Sequence, residues 1–182
     1  MQTHELTAHP AHPTVSVRSV TAKVDATDRY WLRLRWRIEG TRQILVPCFA
    51  GKRRLDGLWR TTCFELFVRA EPQDGTAYSE FNFSPSEAFA AYDFSSYREN
   101  GRDRHITRAP EISWRGGSSF AIMDVAMQRE ALPNGSLCFG MTAVIEEEGG
   151  QKSYWAAEHT GDAPDFHDPA CFAQALAAPN RP

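Results

Sequence analysis

The sequence predicts an all-β fold, an antiparallel β-sandwich or jelly roll, and three observations support it. Short segments that alternate apolar and polar residues recur along the chain, turn signals separate them, and hardly any helical periodicity lies between them. In residues 32–38, Leu-Arg-Leu-Arg-Trp-Arg-Ile, every second side chain is apolar, which is typical of a strand with one buried face. This spacing leaves no room for the helical crossovers of a parallel dinucleotide-binding sheet.

The predicted strands follow one another along most of the chain. They lie at about residues 14–25, 32–38, 42–49, 61–69, 77–84, 88–94, 111–115, 119–128, 137–145 and 151–157. The turn signals between them are Asp56-Gly57, Asp74-Gly75, Gly116-Gly117, Pro133-Asn134-Gly135 and Gly149-Gly150. Near the end, Asp168 as N-cap and Pro169 as first residue favour one short helix over 169–176, although a last edge strand fits the same residues.

The domain organisation follows from length and from the unpatterned ends. A chain of 182 residues suits one domain, which at this size buries close to ~70% of the unfolded surface. We expect a flexible N-terminal arm over residues 1–13, because three His, two Pro and no periodicity occur there. The sandwich then covers residues 14–176, and a tail covers 177–182.

Composition excludes several functional classes. Twenty Lys and Arg against 23 Asp and Glu give a net charge of −3, so the chain lacks the basic surface that nucleic acid binding needs. No apolar run approaches the ~20 residues of a membrane span, and the first residues do not look like a signal peptide. We therefore expect a cytoplasmic protein with no nucleic acid or membrane partner. Its four Cys show no Cys-x-x-Cys spacing and are expected to be reduced thiols.

The most informative segments, 58–69 and 78–86, predict a hairpin with one polar face. The register that brings all of its core residues together pairs Glu65 with Asn82 and Phe67 with Glu80. The face opposite the core then carries Glu65, Glu80 and Asn82. Acidic residues in mid-strand are unfavourable for sheet propensity, so this polar face needs a reason.

Two interpretations of the polar face stay open. It is either a solvated outer surface or a concave site whose carboxylates accept hydrogen bonds from ligand hydroxyls, with indole rings covering the apolar faces of a sugar. Trp59, at the turn before Glu65, is a candidate wall, and Trp155 is a candidate for the opposite wall. Core packing is the alternative for each Trp, and Trp36 is assigned to the core by its strand phase.

Several sequence motifs resemble the DOMON-like superfamily, which includes the family 9 carbohydrate-binding modules. The motifs are Leu58-Trp-Arg-Thr-Thr-Cys-Phe-Glu-Leu-Phe67, Tyr78-Ser-Glu-Phe-Asn-Phe-Ser-Pro-Ser86 and Ala90-Ala-Tyr-Asp-Phe94 with Tyr97-Arg98. The later stretches Trp155 to Glu158 and Asp165-Phe-His167 resemble the bacterial intracellular branch, whose members are mostly stand-alone. The resemblance extends over roughly residues 14 to 175.

The resemblance implies a jelly-roll sandwich with a ligand-binding role, sugars and haem being the two ligand classes of the superfamily. Its sugar-binding members hold the sugar between two Trp beside a carboxylate and polar partners. By position, Trp59 and Glu65 match that arrangement, and Trp155 supplies the second indole. Arg98 and Asn82 are weaker matches, Arg98 as a contact for an anionic group.

Metal binding and haem binding are alternatives to a site without a cofactor. Weak candidate metal ligands are His159, Asp162, Asp165 and His167, in a turn-rich loop where Asp more often bonds the backbone. Candidate haem ligands are His105, His159, His167, Met123, Met127 and Met141. Neither ligand set forms a recognised motif, so the sequence predicts no cofactor.

Catalysis is the remaining alternative. Glu65 and Glu80 on one hairpin face suit paired-carboxylate chemistry of hydrolase or isomerase type, and His159 could act as acid or base if its loop folds over that face. The sequence leaves open whether the loop 158–168 reaches this face. The interpretation that the residues favour is a binding protein for a small carbohydrate or carbohydrate-like molecule, without an assigned reaction.

Overall fold

The structure, a computed structural model, describes residues 2–71, 75–172 and 174–178. These residues form the following strands: β1 (Thr3–Ala8), β2 (Ser19–Thr27), β3 (Trp31–Glu39), β4 (Cys63–Glu71), β5 (Tyr78–Phe83), β6 (Phe89–Phe94), β7 (Arg102–Asp103), β8 (Glu111–Gly116), β9 (Phe120–Gln128), β10 (Ser136–Glu147), β11 (Gln151–Ala156) and β12 (Gln174–Leu176). Short 3-10 turns lie at Leu58–Arg60, Arg129–Ala131 and Pro169–Cys171. Among these residues no helix is both long and apolar enough to cross a membrane.

The strands form an antiparallel sandwich, which confirms the predicted fold class. The first sheet has the order β1-β2-β3-β9-β8, and the second has the order β7-β6-β5-β4-β10-β11, with β12 also paired to β10. Strand β1 joins the two sheets, because its residues 3–6 pair with β2 and its residues 7–8 pair with β11.

The core lies between the inner faces of the two sheets. Trp36 of the first sheet is fully buried, and its ring centroid lies 5.5 Å from that of Phe64 and 6.4 Å from that of Phe83 in the second sheet. Burying side chains of this size contributes about 1.5–3 kcal/mol each before packing effects. The assignment of Trp36 to the core is confirmed.

The hairpin register agrees with the sequence prediction. In the β4–β5 pair, Glu65 lies opposite Asn82 and Phe67 lies opposite Glu80. The inner face of this pair contributes Phe64, Leu66 and Phe81 to the core. Glu65, Phe67 and Glu80 therefore share the outer face of the second sheet.

The N-terminal segment differs from the predicted flexible arm, since residues 3–8 form β1. In Thr3–Ala8 the side chain of Leu6 is buried and contributes to the core, and Ala8 packs against it. Leu6 and Ala8 are the apolar residues of an otherwise polar hexapeptide, which is a weak pattern. The strand is stabilised by pairing on both sides rather than by its own hydrophobicity.

Two further predicted strands are corrected. Residues 42–49 form only an isolated bridge from Ile44 to Glu147, because Pro47 removes a backbone donor and Phe49 is 76% exposed, so little burial supports a strand. Residues 14–18 precede β2. There the backbone N–H groups of Val15, Ser16 and Val17 donate to the buried Glu147 carboxylate.

The C-terminal region combines the two predicted alternatives. Asp168 caps the 3-10 turn by accepting a hydrogen bond from the backbone N–H of Ala170, and the chain then enters the edge strand β12, which pairs with β10. A Cβ added at Gly140 of β10 would lie 2.1 Å from the carbonyl oxygen of Cys171, so glycine permits the close approach of this turn to the sheet. Of the predicted tail 177–182, residues 179–182 lie outside the described residues.

Candidate functional site

A cavity of about 450 Å³ lies on the outer face of the second sheet. Strands β4, β5, β6, β10 and β11 contribute its floor. Residues 157–172, called the covering segment here, close over it and pack on the sheet through Phe166, Cys171 and Phe172. The lining residues are Trp59, Glu65, Phe67, Glu80, Tyr92, Phe94, Arg98, Gly101, Val144, Tyr154, Pro164, Phe166 and His167.

Two carboxyl groups from the predicted polar face lie at the bottom of the cavity. Glu65 is 2% exposed and Glu80 is 5% exposed. Glu65 Oε2 accepts a hydrogen bond from the Thr142 hydroxyl at 3.0 Å. Glu80 Oε1 accepts one from the Asn82 amide at 2.7 Å. These single donors orient both carboxyl groups and leave the second oxygen of each for a ligand.

Burial changes the acidity of both groups. It raises the pKa of Glu65 to about 8, the negative charge of Glu80 adds to the shift, and the Thr142 hydroxyl opposes it. Burial also raises the pKa of Glu80 to about 7, against the opposing effects of the Asn82 amide and the Arg98 charge. Near neutral pH the pair therefore holds protons and can both donate and accept hydrogen bonds.

Trp59 and Tyr92 form one wall of the cavity. Trp59 lies on the 3-10 turn after Gly57, which has the left-handed φ of 73° that this tight turn needs, and its ring is 6.0 Å from Tyr92 in an edge-to-face arrangement. The Tyr92 hydroxyl donates to Asp56 at 2.7 Å. Trp59 is 40% exposed, so part of its ring is free to receive a ligand at the mouth.

His167, from the covering segment, forms part of the opposite side. Its Nδ1 lies 2.7 Å from the Tyr78 hydroxyl, and its Nε2 lies 3.7 Å from Glu80 Oε2. The Tyr78 hydroxyl accepts the backbone N–H of Arg98, and we assign its own proton to Nδ1. Burial, with a smaller effect of the Arg98 charge, lowers the pKa of His167 to about 4, so the imidazole is neutral at pH 7 and its remaining N–H faces Glu80.

Arg98 lies at the rim. Its guanidinium donates to Asp165 Oδ1 at 2.8 Å, and the Tyr97 hydroxyl donates to the other Asp165 oxygen. Arg98 has φ of 55°, a left-handed conformation that costs a non-glycine residue energy and is retained when surrounding contacts fix it. The bond from its backbone to Tyr78 and the ion pair with Asp165 are such contacts.

The structure brings together most, but not all, of the residues proposed from sequence. Trp59, Glu65, Glu80 and Arg98 line the cavity. Asn82 is fully buried beneath it, where it orients Glu80.

Two other candidates lie elsewhere. Trp155 pairs with Ala143 on the inner face of the second sheet, is 4% exposed and belongs to the core. The predicted second indole wall is therefore wrong, and the neighbouring Tyr154 lines the cavity instead. His159 donates from Nε2 to the carbonyl oxygen of Thr7 and does not line the cavity.

Sequence reasoning missed several lining residues. Strand alternation places Tyr92 on the face opposite its core neighbour Ala91, Phe94 on the same face as Tyr92, and Tyr154 on the face opposite Trp155. These three residues could be identified once the buried face of each strand was known. Phe166 and His167 could not be identified in this way, because no periodic pattern indicates that the loop folds back over the polar face.

The candidate metal ligands do not form a metal centre. Among the described residues no group of three or more His, Cys, Asp or Glu side chains has a metal-binding arrangement. Asp165 bonds Arg98 and the backbone N–H of His167, which is the turn role that the sequence left as the alternative. Asp162 is exposed.

The candidate haem ligands are also dispersed. Met123, Met127 and Met141 are buried in the core between the sheets, on the other side of the second sheet from the cavity. His105 is exposed, whereas His167 lines the cavity. These residues therefore do not fit an axial pair for haem.

Comparison with known proteins supports the fold assignment. No protein-family model and no curated protein sequence matches the chain. Among solved structures, it is similar to a protein from Bacteroides uniformis proposed to bind carbohydrate, with a TM-score of 0.65, 13% identity, and coverage of 97% of this chain and 86% of the other.

The same fold occurs in a family 9 carbohydrate-binding module from Caldicellulosiruptor kristjanssonii. Its glucose complex matches with a TM-score of 0.53 and 10% identity, over 98% of this chain and 86% of the module. Its cellotriose complex matches with a TM-score of 0.51 and 10% identity, over 98% and 84%. At this identity the likeness shows the fold alone.

Proposed function

We propose that the chain binds a small carbohydrate in the cavity over Glu65 and Glu80. The observation that carries this proposal is a pair of buried carboxyl groups, each with a free oxygen, enclosed by aromatic rings. Small-molecule sites are typically apolar cavities in which a few polar groups are fixed in position. The volume of this cavity, about 450 Å³, lies in the usual range of such sites.

In the proposed complex the roles follow from position. Glu65 and Glu80 exchange hydrogen bonds with sugar hydroxyls, and Trp59 stacks on the apolar face of the ring at the mouth. Tyr154 forms the opposite wall, the position predicted for Trp155 from the sequence. Arg98, at the rim, contacts an outer hydroxyl or an anionic substituent.

Family 9 modules with bound glucose and cellotriose share this fold, which supports a carbohydrate as the ligand class. We further propose that the chain belongs to the DOMON-like superfamily, on the motifs at residues 58–67 and 78–86. The stretches at residues 155–158 and 165–167 support its bacterial stand-alone intracellular branch. A cytoplasmic location stays a prediction of the sequence.

Calorimetric titration with glucose, cellobiose and cellotriose tests the proposal. We expect saturable binding to the wild type and at least a tenfold loss, about 1.4 kcal/mol, in Trp59→Ala. Trp31→Ala is the matched control, since Trp31 lies on β3 of the other sheet beside Arg33. Absence of binding by all three sugars, or equal binding by both variants, would contradict the proposed site.

Acid–base catalysis on the same ligand is the second candidate function. It is favoured by two carboxyl groups with raised pKa and the neutral imidazole of His167 in one cavity, a combination that tunes groups for proton transfer near pH 7. His167 takes the acid–base role predicted for His159 from the sequence. Analysis of each bound sugar by NMR for reaction products tests this candidate. If the wild type converts a sugar and Glu65→Gln binds that sugar without converting it, the protein is an isomerase or hydrolase. If every sugar stays unchanged, the result supports a binding protein.

A further inference from the structure

The two buried carboxyl groups of the cavity have no cationic partner among the described residues. Glu65 and Glu80 are both acidic, and the guanidinium of Arg98 is held by Asp165 at 2.8 Å. His167, the nearest nitrogen base to Glu80, lies 3.7 Å away and is neutral. Within the described residues, neither buried carboxyl group forms an ion pair with Lys or Arg. A ligand that brings a positive charge would therefore complete the site.

The free oxygens point to where that charge would sit. Glu65 Oε2 is bonded to Thr142 and Glu80 Oε1 to Asn82. In the described part of the chain, Glu65 Oε1 and Glu80 Oε2 accept no hydrogen bond. The two residues are diagonal neighbours on adjacent strands, a spacing of roughly 7–8 Å between Cα atoms. One ammonium group, with three donors, can reach both oxygens across this gap.

The rest of the lining also suits a cation. The aromatic residues around the carboxyl groups are Trp59, Phe67, Tyr92, Phe94, Tyr154 and Phe166. Aromatic faces attract ammonium groups through the ring quadrupole, and the attraction grows when the cation is desolvated. A neutral sugar uses these rings only as apolar surface.

We propose that the ligand of this cavity is an amino sugar whose ammonium group lies between Glu65 and Glu80. The inference rests on the proposed function and narrows its ligand class. The ammonium replaces the proton that the buried pair otherwise retains, so both carboxylates are ionised in the complex. The raised pKa values of Glu65 and Glu80 agree with a site that is incomplete without a cation.

Glucose and glucosamine form the matched pair of probes, because they differ only in the group at one ring carbon. At pH 6.5 in calorimetry, we expect glucosamine to bind the wild type at least tenfold more tightly than glucose or N-acetylglucosamine. We also expect glucosamine binding to release protons, measured as a dependence of the heat on the buffer's ionisation enthalpy, and glucose binding to release none.

Variants locate the effect. Glu65→Gln and Glu80→Gln keep the shape of each side chain and remove its carboxylate, so the ratio of the glucose to the glucosamine dissociation constant should fall to less than threefold. Glu39→Gln changes the net charge equally but lies on β3 of the other sheet, and it should keep the full preference.

The outcomes separate the two proposals. Equal binding of glucose and glucosamine by the wild type would overturn the ammonium site and leave carbohydrate binding in place. A preference for glucosamine that persists in both Gln variants would also overturn the ammonium site, since the ammonium group would then be bound by other residues. Binding of none of the three sugars would overturn both proposals.

Discussion

Substitution of Glu65 by Gln should make the protein's stability less dependent on pH. Because the pKa of Glu65 is raised by burial from its ordinary value of 4.5 to about 8, the folded state holds a proton that the unfolded state has lost. This contribution to stability is present at low pH and is lost as pH rises toward 8. The variant has no carboxyl group at this position and should not show that loss.

The pH dependence that Glu65 causes is measured between pH 6.5 and pH 8. Below this window His167, whose pKa is lowered to about 4, makes stability rise with pH. The reason is that the unfolded chain binds a proton at this imidazole which the folded protein does not bind. Within the window Glu65 contributes a loss of about 1.4 kcal/mol per pH unit, roughly 2 kcal/mol in all. Glu80, with its pKa raised to about 7, adds a loss at the lower end.

Urea unfolding followed by Trp fluorescence at pH 6.5, 7.0, 7.5 and 8.0 measures the free energy of unfolding at each pH. We expect a steady fall for the wild type and for the Glu39→Gln control, and a distinctly smaller fall for Glu65→Gln. A wild-type stability that rises over this range, or the same slope in wild type and variant, would refute the raised pKa assigned to Glu65.

Four further substitutions test other parts of the structure. Glu147→Ala leaves three backbone N–H groups without their carboxylate and should lower the free energy of unfolding by about 2–4 kcal/mol, read from urea unfolding; a change below 0.5 kcal/mol would contradict that contact. Gly140→Ala forces its methyl group against the Cys171 carbonyl and should destabilise the protein by about 1–3 kcal/mol and weaken sugar binding, as the covering segment shifts; wild-type stability would show that the segment does not pack there. Trp155→Phe should lower the melting temperature with an unchanged sugar dissociation constant, whereas Tyr154→Ala should weaken sugar binding, and the reverse pattern would exchange their assigned faces.

The strands and the register of the central hairpin were predictable because the side-chain period of a strand is two. Once Phe64, Phe81 and their neighbours are placed in the core, Glu65 and Glu80 must share the other face. In residues 151–156 the same rule gives two similar faces, one with Ser153 and Trp155 and one with Tyr154 and Ala156, so alternation alone does not decide which is buried. The pairing of Trp155 with Ala143 decides it, and this contact between strands leaves no signal in the segment itself.

The burial of the polar face was not predictable from local pattern. It depends on residues 157–172, a turn-rich segment whose position is fixed by Phe166 and Phe172 packing on the sheet and by the glycine at 140. Strand β1 was missed for a related reason, because its stability comes from pairing with β2 and β11 rather than from its own composition. Long-range contacts of both kinds leave little signal in a short window of sequence.

A crystal structure of the protein with glucose tests the central claim most directly. We expect electron density for one sugar above Glu65 and Glu80, with its ring against Trp59 and its hydroxyls within about 3.2 Å of the free carboxyl oxygens, a normal hydrogen-bond distance. Density for the sugar on the first sheet, or an unoccupied cavity at a glucose concentration that saturates binding in solution, would contradict it.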